Sequence, residues 1–383
     1  MRVAMLGTRG VPAHYGGFET AIEEIGQRLV ARGHEVVVYC RGTERPRPDT
    51  YLGMELVHLP AARRKSLETL SHTALSVAHL WRNRRRQPLD AAIVFNAANA
   101  PFVPPIRAGR VPVVVHVDGM EWERAKWAGL GRRYYRAVEC LAVRWADALI
   151  ADAQGIADYY TSEFGVETTT LTYGAHILQS AGFDRVVELG LKPDGYHLVV
   201  ARFEPENHVA EIVAGYAASE AELPLVVVGS APYAGEYTAK IESLAASDPR
   251  IVMLGGVWDQ EQLDELYTHC RTYLHGHSVG GTNPSLLRAM GAGSAVLAFD
   301  VVFNREVLGE AGLFFSNPAE AGALIEKAES DPELADRAVE LQDRAAATYR
   351  WDDVTTGYEA LLQRMVDGDS TRGQASGRRR RHQ

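Results

Sequence analysis

The sequence predicts an α/β protein of two doubly wound parallel domains. Three observations point there: short apolar strands recur along the 383 residues, segments of helical apolar spacing alternate with them, and glycine-rich loops join the two. Repeated strand–helix units place helices on both faces of a parallel sheet, and ligands then gather beyond the carboxyl ends of the strands.

Arg2–Leu6 reads as the first strand. Phe18, Ile22, Ile25 and Leu29 follow helical spacing, and Gly33 stands where that helix should stop. Glu35–Cys40 comes next, its Val36–Val38 run typical of a strand buried on both faces. Ala91–Phe95, Val111–Val117 and Ala148–Ala151 continue the series. Residues 173–194 have weak periodicity and carry Gly174, Gly182, Gly190 and Pro193, the pattern of a connection between domains. A second set of strands follows at Tyr196–Ala201, Leu225–Val228, Ile251–Leu254, Thr272–Leu274 and Ala295–Phe299, and a helix is expected near Trp351–Met365.

Composition narrows the function classes. The hydrophobic content of 46% supports two real cores, and a formal charge of −9 argues against a general nucleic-acid binder. Cys40, Cys140 and Cys270 lack metal-ligand spacing and read as free thiols in a reducing compartment. MRVAMLGTRG is not expected to act as a signal peptide, and no apolar stretch nears the ~20 residues needed to span a bilayer. The expected location is therefore cytoplasmic. Residues 63–86 are strongly basic, with Leu67, Leu70, Ala74, Val77 and Trp81 on one helical face. That segment either packs on its own sheet or docks on the anionic inner face of a membrane. The tail from 368 to 383, with five arginines and no apolar anchors, is expected to be disordered.

Three loops carry the chemistry. After Thr272–Leu274 the chain enters Ser278-Val-Gly-Gly-Thr-Asn-Pro284, and helical spacing resumes at Ser285 until Gly291 and Gly293 break it. Bare N–H groups at a helix N-terminus suit a phosphate, although an ordinary βαβ turn has the same outline. After the first strand, Gly16 and Gly17 lie at the mouth of a helix in a loop that is not Gly-x-Gly-x-x-Gly, so a nicotinamide fingerprint fails on spacing. Arg202-Phe-Glu-Pro-Glu-Asn207 follows a strand, and a guanidinium fork there either grips a phosphate or pairs with Glu204 or Glu206. His116 and Asp118, just past a buried strand, occupy the same kind of ligand zone.

The segments SVGGTNPSLL (278–287) and GTRG…YGGFE (7–19) resemble a rhamnosyltransferase-like subgroup of the retaining GT-B glycosyltransferases of family 4, the glycosyl transferases group 1. The resemblance runs to about residue 366. It implies two Rossmann-like domains facing across a cleft: 1–178 for the acceptor, 179–350 for the nucleotide sugar, and a helix at 351–367 crossing back to the first domain. It implies transfer of a sugar, such as L-rhamnose or another deoxysugar, from a dTDP- or UDP-sugar to a glycan, lipid-linked or secondary-metabolite acceptor with retention. No metal or other cofactor is implied.

By the same resemblance Asp118 and Arg202 are the catalytic residues. Donor contacts fall on Gly16, Gly17, His116, Asn207, Gly256, Val257, Gly280, Gly281, Thr282, Asn283 and Arg288; acceptor contacts fall on Tyr15, Glu19, Glu121 and Trp122. The family's Glu-x7-Glu motif would place acids at Gly280 and Arg288, and its phosphate-gripping lysine at Asn207. The subgroup shares the first and third departures, whereas Arg288 departs from it. A guanidinium only donates, while ribose hydroxyls usually donate to a carboxylate. Two alternatives stay open: a nucleotide-sugar-binding partner protein without turnover, and a GT-B nucleotide-sugar epimerase.

Overall fold

The computed structural model describes residues 1–13, 16–42, 47–117, 119–123, 129–229 and 235–380. The chain divides into two compact units, one of Met1–Tyr173 with Trp351–Gln383 and one of Gly174–Arg350.

Unit 1 contains strands β1 (Arg2–Leu6), β2 (Glu35–Arg41), β3 (Thr50–Tyr51), β4 (Met54–Leu59), β5 (Ala91–Phe95), β6 (Val113–His116), β7 (Ala148–Ala151) and β8 (Thr169–Thr170). Its first helices are α1 (Gly17–Ala31), α2 (Lys65–Asn83), α3 (Val103–Ala108), α4 (Leu130–Trp145) and α5 (Gln154–Phe164). The strands form one sheet in the order β3-β4-β2-β1-β5-β6-β7-β8. Central β1 is sealed, with Val3 through Leu6 wholly buried and Val3 in register with Val36 on one side and Ala91 on the other. The small residues Ala4, Ala91 and Ala92 leave room for helices above and below.

α1 forms because Ile22, Ile25 and Leu29 fall on one buried stripe, and Gly33 ends the turn at φ +86°. The hairpin β3–β4 was not foreseen. It pairs antiparallel within itself while β4 runs parallel to β2, so it extends one edge of the sheet. α2 packs its inner face on its own unit: Val77 is buried, and the Trp81 indole donates to the Pro105 carbonyl at 2.8 Å.

Unit 2 contains β9 (His197–Val200), β10 (Leu225–Val228), β11 (Ile251–Gly255), β12 (Thr272–His275), β13 (Val296–Phe299) and β14 (Leu313–Phe315). Between and after them run α6 (Asp184–Glu188), α7 (Val209–Ala217), α8 (Gly235–Ala246), α9 (Gln260–His269), α10 (Pro284–Gly291), α11 (Val302–Leu308), α12 (Pro318–Ser330) and α13 (Leu334–Thr348). All six strands are parallel, in the order β11-β10-β9-β12-β13-β14. Val199, Val227, Leu274 and Leu297 of the sheet pack with Val213, Tyr216 and Ile325 of the helices as a single core.

A last helix, α14 (Trp351–Val366), belongs to unit 1, where Tyr358, Leu361, Leu362 and Met365 are buried. The segment after it differs from the disordered tail expected from composition. Ser370 and Thr371 bond to Asp147, and Arg379 enters a slot formed by α4 and α5. Its guanidinium bonds to the Glu139 carboxylate, reaches Glu163 Oε2 and the Tyr159 hydroxyl at 2.8 Å each, and lies 5.0 Å from the Phe164 ring centre. The physical reason is charge pairing: a segment without apolar anchors is held by acids far away in sequence.

Candidate functional site

Each sheet reverses its strand order once, between β1 and β5 in unit 1 and between β9 and β12 in unit 2. Loops leaving the carboxyl ends at such a point diverge and leave space for a ligand. In unit 2 those loops are 201–208 and 276–283, the Arg202 segment and the glycine-rich tract singled out from sequence.

The two loops are braced into one body. Asn207 is buried, and its Nδ2 donates to the Arg202 carbonyl while its Oδ1 accepts from His277 Nδ1, both at 2.7 Å. Gly276 backs against the Asn207 carbonyl so closely that a Cβ would overlap it. Ser278 donates twice to the Glu206 carbonyl, through its backbone N–H at 2.9 Å and its hydroxyl at 3.2 Å. From β13 and α11, Asn304 Nδ2 donates to the carbonyls of His277 (3.0 Å) and Phe299 (2.8 Å).

His208 closes this body from the side. It occupies the left-handed region at φ +46°, directly before α7, and stacks on Phe299 with ring centres 3.9 Å apart and planes 8° from parallel. Its Nε2 lies 2.9 Å from the Ser278 hydroxyl. Arg202 is exposed, and among the described residues it takes part in no ion pair, contrary to the bridge with Glu204 or Glu206 that sequence left open.

The glycine-rich loop then turns through Gly280 at φ +128°. Thr282 is buried, and Asn283 caps α10 by accepting from the Ser285 N–H at 2.9 Å, with Pro284 in the first helical position. This leaves the tract 280–283 leading into a capped helix N-terminus, an arrangement suited to an anion. Gly256 and Val257 follow β11 on the same edge of the sheet, beside Trp258, which is 59% exposed.

Arg288 does not extend toward that space. Its Nε and Nη2 donate to Asp264 Oδ1 at 3.0 and 2.6 Å, Nη1 reaches Gln260 Oε1 at 2.7 Å, and Nη2 reaches the Gln260 carbonyl at 2.9 Å. The guanidinium also lies 5.6 Å from the Tyr267 ring centre. The residue expected at the ribose is a strut between α10 and α9.

In unit 1, Gly16 caps α1, and Glu19 Oε1 accepts from the Arg9 N–H at 3.0 Å, which ties the loop after β1 to the helix. Asn99 steadies the same loop by donating to the carbonyls of Gly7 (3.2 Å) and Phe95 (2.8 Å). His116 is only 1% exposed, enclosed by the rings of Phe18, Phe95, Tyr173 and Tyr358. Among the described residues neither ring nitrogen has a hydrogen-bond partner, and burial pushes its pKa down to about 3, so it is neutral. The donor contact expected of His116 from sequence would therefore fall on a buried ring. Glu121 is buried, and Trp122 has the Arg136 guanidinium 5.1 Å from its ring centre. Tyr15 and Asp118 lie outside the described residues, so their expected roles are not placed. Gly17 opens α1.

Among the described residues no group of three His, Cys, Asp or Glu is arranged to hold a metal, and no helix is long and apolar enough to cross a membrane. Sequence reasoning named Ser278 as the start of the glycine-rich loop but gave no role here to His208, His277 or Asn304. The His-x-His spacing of 275–277 at a strand end was the available signal.

Residues 185–343 match the family model described as glycosyl transferases group 1, and residues 1–176 match one described as a domain of unknown function. No curated protein matches the chain. Among solved structures it is similar to a sucrose-phosphate synthase from Thermosynechococcus elongatus, with 18% identity, a TM-score of 0.82, and coverage of 96% of this chain and 99% of the other. It is also similar to HepE of Anabaena, solved in complex with UDP-glucose, at 16% identity and a TM-score of 0.76 over 95% and 100% of the chains. A glycosyltransferase from Rickettsia africae matches at 11% identity and a TM-score of 0.72 over 96% and 99%. At these identities the likeness is one of fold: two Rossmann-like parallel sheets of the GT-B type. The match over residues 185–343 makes this part of the chain similar to the glycosyl transferases group 1.

Proposed function

We propose that this protein transfers a glycosyl group from a nucleoside-diphosphate sugar to a hydroxyl acceptor, with retention at the anomeric carbon. The observation that carries the reading is the braced pair of loops at the strand-order reversal of unit 2, where Arg202 stands beside a glycine-rich tract and a capped helix N-terminus. HepE of Anabaena, which shares this fold, is solved in complex with UDP, with UDP-glucose, and with UDP and glucose. The resemblance to the rhamnosyltransferase-like subgroup favours a deoxysugar donor such as dTDP-rhamnose, and a glycan, lipid-linked or secondary-metabolite acceptor. The exposed arginines flanking α2, with Leu67 and Leu75 also exposed, offer a contact for an anionic membrane carrying a lipid-linked acceptor.

In this reading the chemistry is mostly stabilisation of a departing diphosphate. Arg202, the backbone of Gly281 and Thr282 and the start of α10 act on the developing charge. The leaving phosphate takes the acceptor proton, so no pair of acids at glycosidase spacing is needed. Asp118, Gly16 and Gly17 are assigned to orienting the sugars. A second reading, a nucleotide-sugar-binding partner without turnover, is favoured by one observation: Arg288 is engaged by Asp264 and Gln260 where the family has a ribose-binding acid.

The test is a thermal-shift panel of UDP, dTDP and their sugars, followed by product analysis with an acceptor mixture. Saturating a specific site at a hundred times its Kd stabilises by about 2.7 kcal/mol. Stabilisation with sugar transfer supports the enzyme, and stabilisation without transfer or donor hydrolysis supports the non-catalytic partner. No stabilisation by any nucleotide overturns both.

A further inference from the structure

We propose that His208 is a diphosphate-recognition residue, its imidazolium giving the donor a second cationic contact beside Arg202. The inference rests on the donor reading above and goes beyond it by assigning a role to a residue outside the glycine-rich tract.

The charge around the loops leads to it. A sugar-linked diphosphate carries two negative charges, and low-dielectric sites stabilise such charge only with cations or aimed dipoles. Arg288 is engaged by Asp264, and Arg305 is held by Asp300 through contacts of 2.5 and 2.7 Å. Asn207 is neutral and buried, with both ends of its amide turned inward to the Arg202 carbonyl and to His277. Arg202 and His208 are the cation-capable side chains that remain on this loop.

His208 is held by its neighbours and stays partly open to solvent. Its side chain keeps 24% of its exposure, whereas Asn207 keeps 6% as a residue. Its left-handed backbone is one that non-glycine residues rarely adopt, and such conformations persist where surrounding contacts impose them. Here the contacts are the Phe299 stack and Ser278. They also assign protons. The Ser278 hydroxyl gives its hydrogen to the Glu206 carbonyl, so it accepts from His208 Nε2–H. On the other side, His208 Nδ1 lies 4.0 Å from Glu211 Oε2, itself bonded to the Tyr237 hydroxyl at 3.2 Å. Glu206 is the other acid that acts on the ring.

Burial holds the free His208 below its usual range, with Glu211 and Glu206 opposing. A bound diphosphate adds negative charge, raises the pKa, and makes binding take up a proton. Donor affinity is then highest below the free-protein pKa and declines as pH rises through the value in the complex.

The experiment is calorimetric titration with UDP-glucose and dTDP-rhamnose from pH 5.5 to 8.5. Their diphosphate esters do not titrate in that range. Each pH is repeated in two buffers of different ionisation enthalpy. The expected wild-type result is roughly tenfold tighter binding at pH 5.5 than at pH 8.5, with up to one proton taken up at intermediate pH. His208→Gly, which suits the left-handed backbone and should fold, is expected to bind at the wild-type high-pH level with no slope. His208→Lys is expected to bind tightly at every pH. A wild-type affinity independent of pH, or an unchanged slope in His208→Gly, overturns the role of His208 while leaving the donor site intact. Failure of both sugars to bind any of the three proteins at any pH overturns the donor reading itself.

Discussion

Replacing Arg379 by Gln tests whether the C-terminal segment is a structural part of unit 1. Glu139 is 3% exposed, and its ionised form is compensated by the Arg379 guanidinium and by the Tyr159 hydroxyl at 3.1 Å. Even so, burial pushes Glu139 up to about 7. Breaking a buried ion pair from one side costs about 3–5 kcal/mol, because the remaining charge is left uncompensated. The lower end is the better figure here, since Tyr159 still donates to Glu139. At about 2–4 °C per kcal/mol for units of this size, Arg379→Gln should lower Tm by about 6–12 °C at pH 8. The sign of the pH effect follows from the raised carboxyl. A folded-state pKa above the unfolded value of about 4.3 gives stability that is full below that value and lost as pH rises through about 7. At pH 5.5 the folded Glu139 already holds its proton, whereas pH 8 lies about one unit, or about 1.4 kcal/mol, above its pKa, so the same substitution should cost about 3–6 °C less at pH 5.5 than at pH 8. Glu139→Gln added to Arg379→Gln should recover most of the loss at pH 8. Melting curves of the full chain at both pH values check this. Equal shifts at pH 5.5 and 8, or no recovery in the double variant, would refute the reasoning.

Two further outcomes follow from unit 2. Arg288→Met keeps the hydrocarbon stem near Tyr267 but loses the bonds to Asp264 and Gln260, so urea unfolding should show a loss of about 1 kcal/mol for this half-buried pair. Arg288→Glu should be less stable than Arg288→Met, because it faces Asp264 with a like charge; parity with wild type would remove the strut role. Asn283→Ala should lower stability by about 1 kcal/mol through loss of the α10 cap, whereas Asn283→Asp should retain it, as read by paired melts.

Much of the fold was legible because parallel strands buried on both faces are apolar along their whole length. Arg2–Leu6, Ala91–Phe95, Ala148–Ala151 and Leu225–Val228 fall where periodicity put them, and Gly33 ends α1 as expected. Thr50–Tyr51 escaped because a two-residue strand at a sheet edge has too few residues to show a period. The site was legible as loops but not as side-chain directions. Asn207 follows a strand end, but only the fold shows that its amide turns inward to His277, 70 residues away. Arg288 was expected at a ligand, yet Asp264 sits on the neighbouring helix within 2.6 Å of it. His208 drew no notice because its stacking partner, Phe299, belongs to another strand. For the tail, composition counts arginines but not the distant acids that receive them.

The assignment of α14 and the segment through Arg379 to unit 1 has a consequence for how the chain is built during synthesis. Unit 2 is continuous from Gly174 to Arg350, whereas unit 1 is interrupted by it and resumes only at Trp351. Domains generally fold as units while the chain emerges at about 5–20 residues per second. Unit 2 can therefore complete its sheet first, although it begins later. Unit 1 must wait with the sites for Tyr358, Leu361, Leu362 and Met365 unfilled until the last helix leaves the ribosome. The N-terminal half is thus the last to mature, and a chain stopped short of residue 351 would carry a finished unit 2 beside an unfinished unit 1.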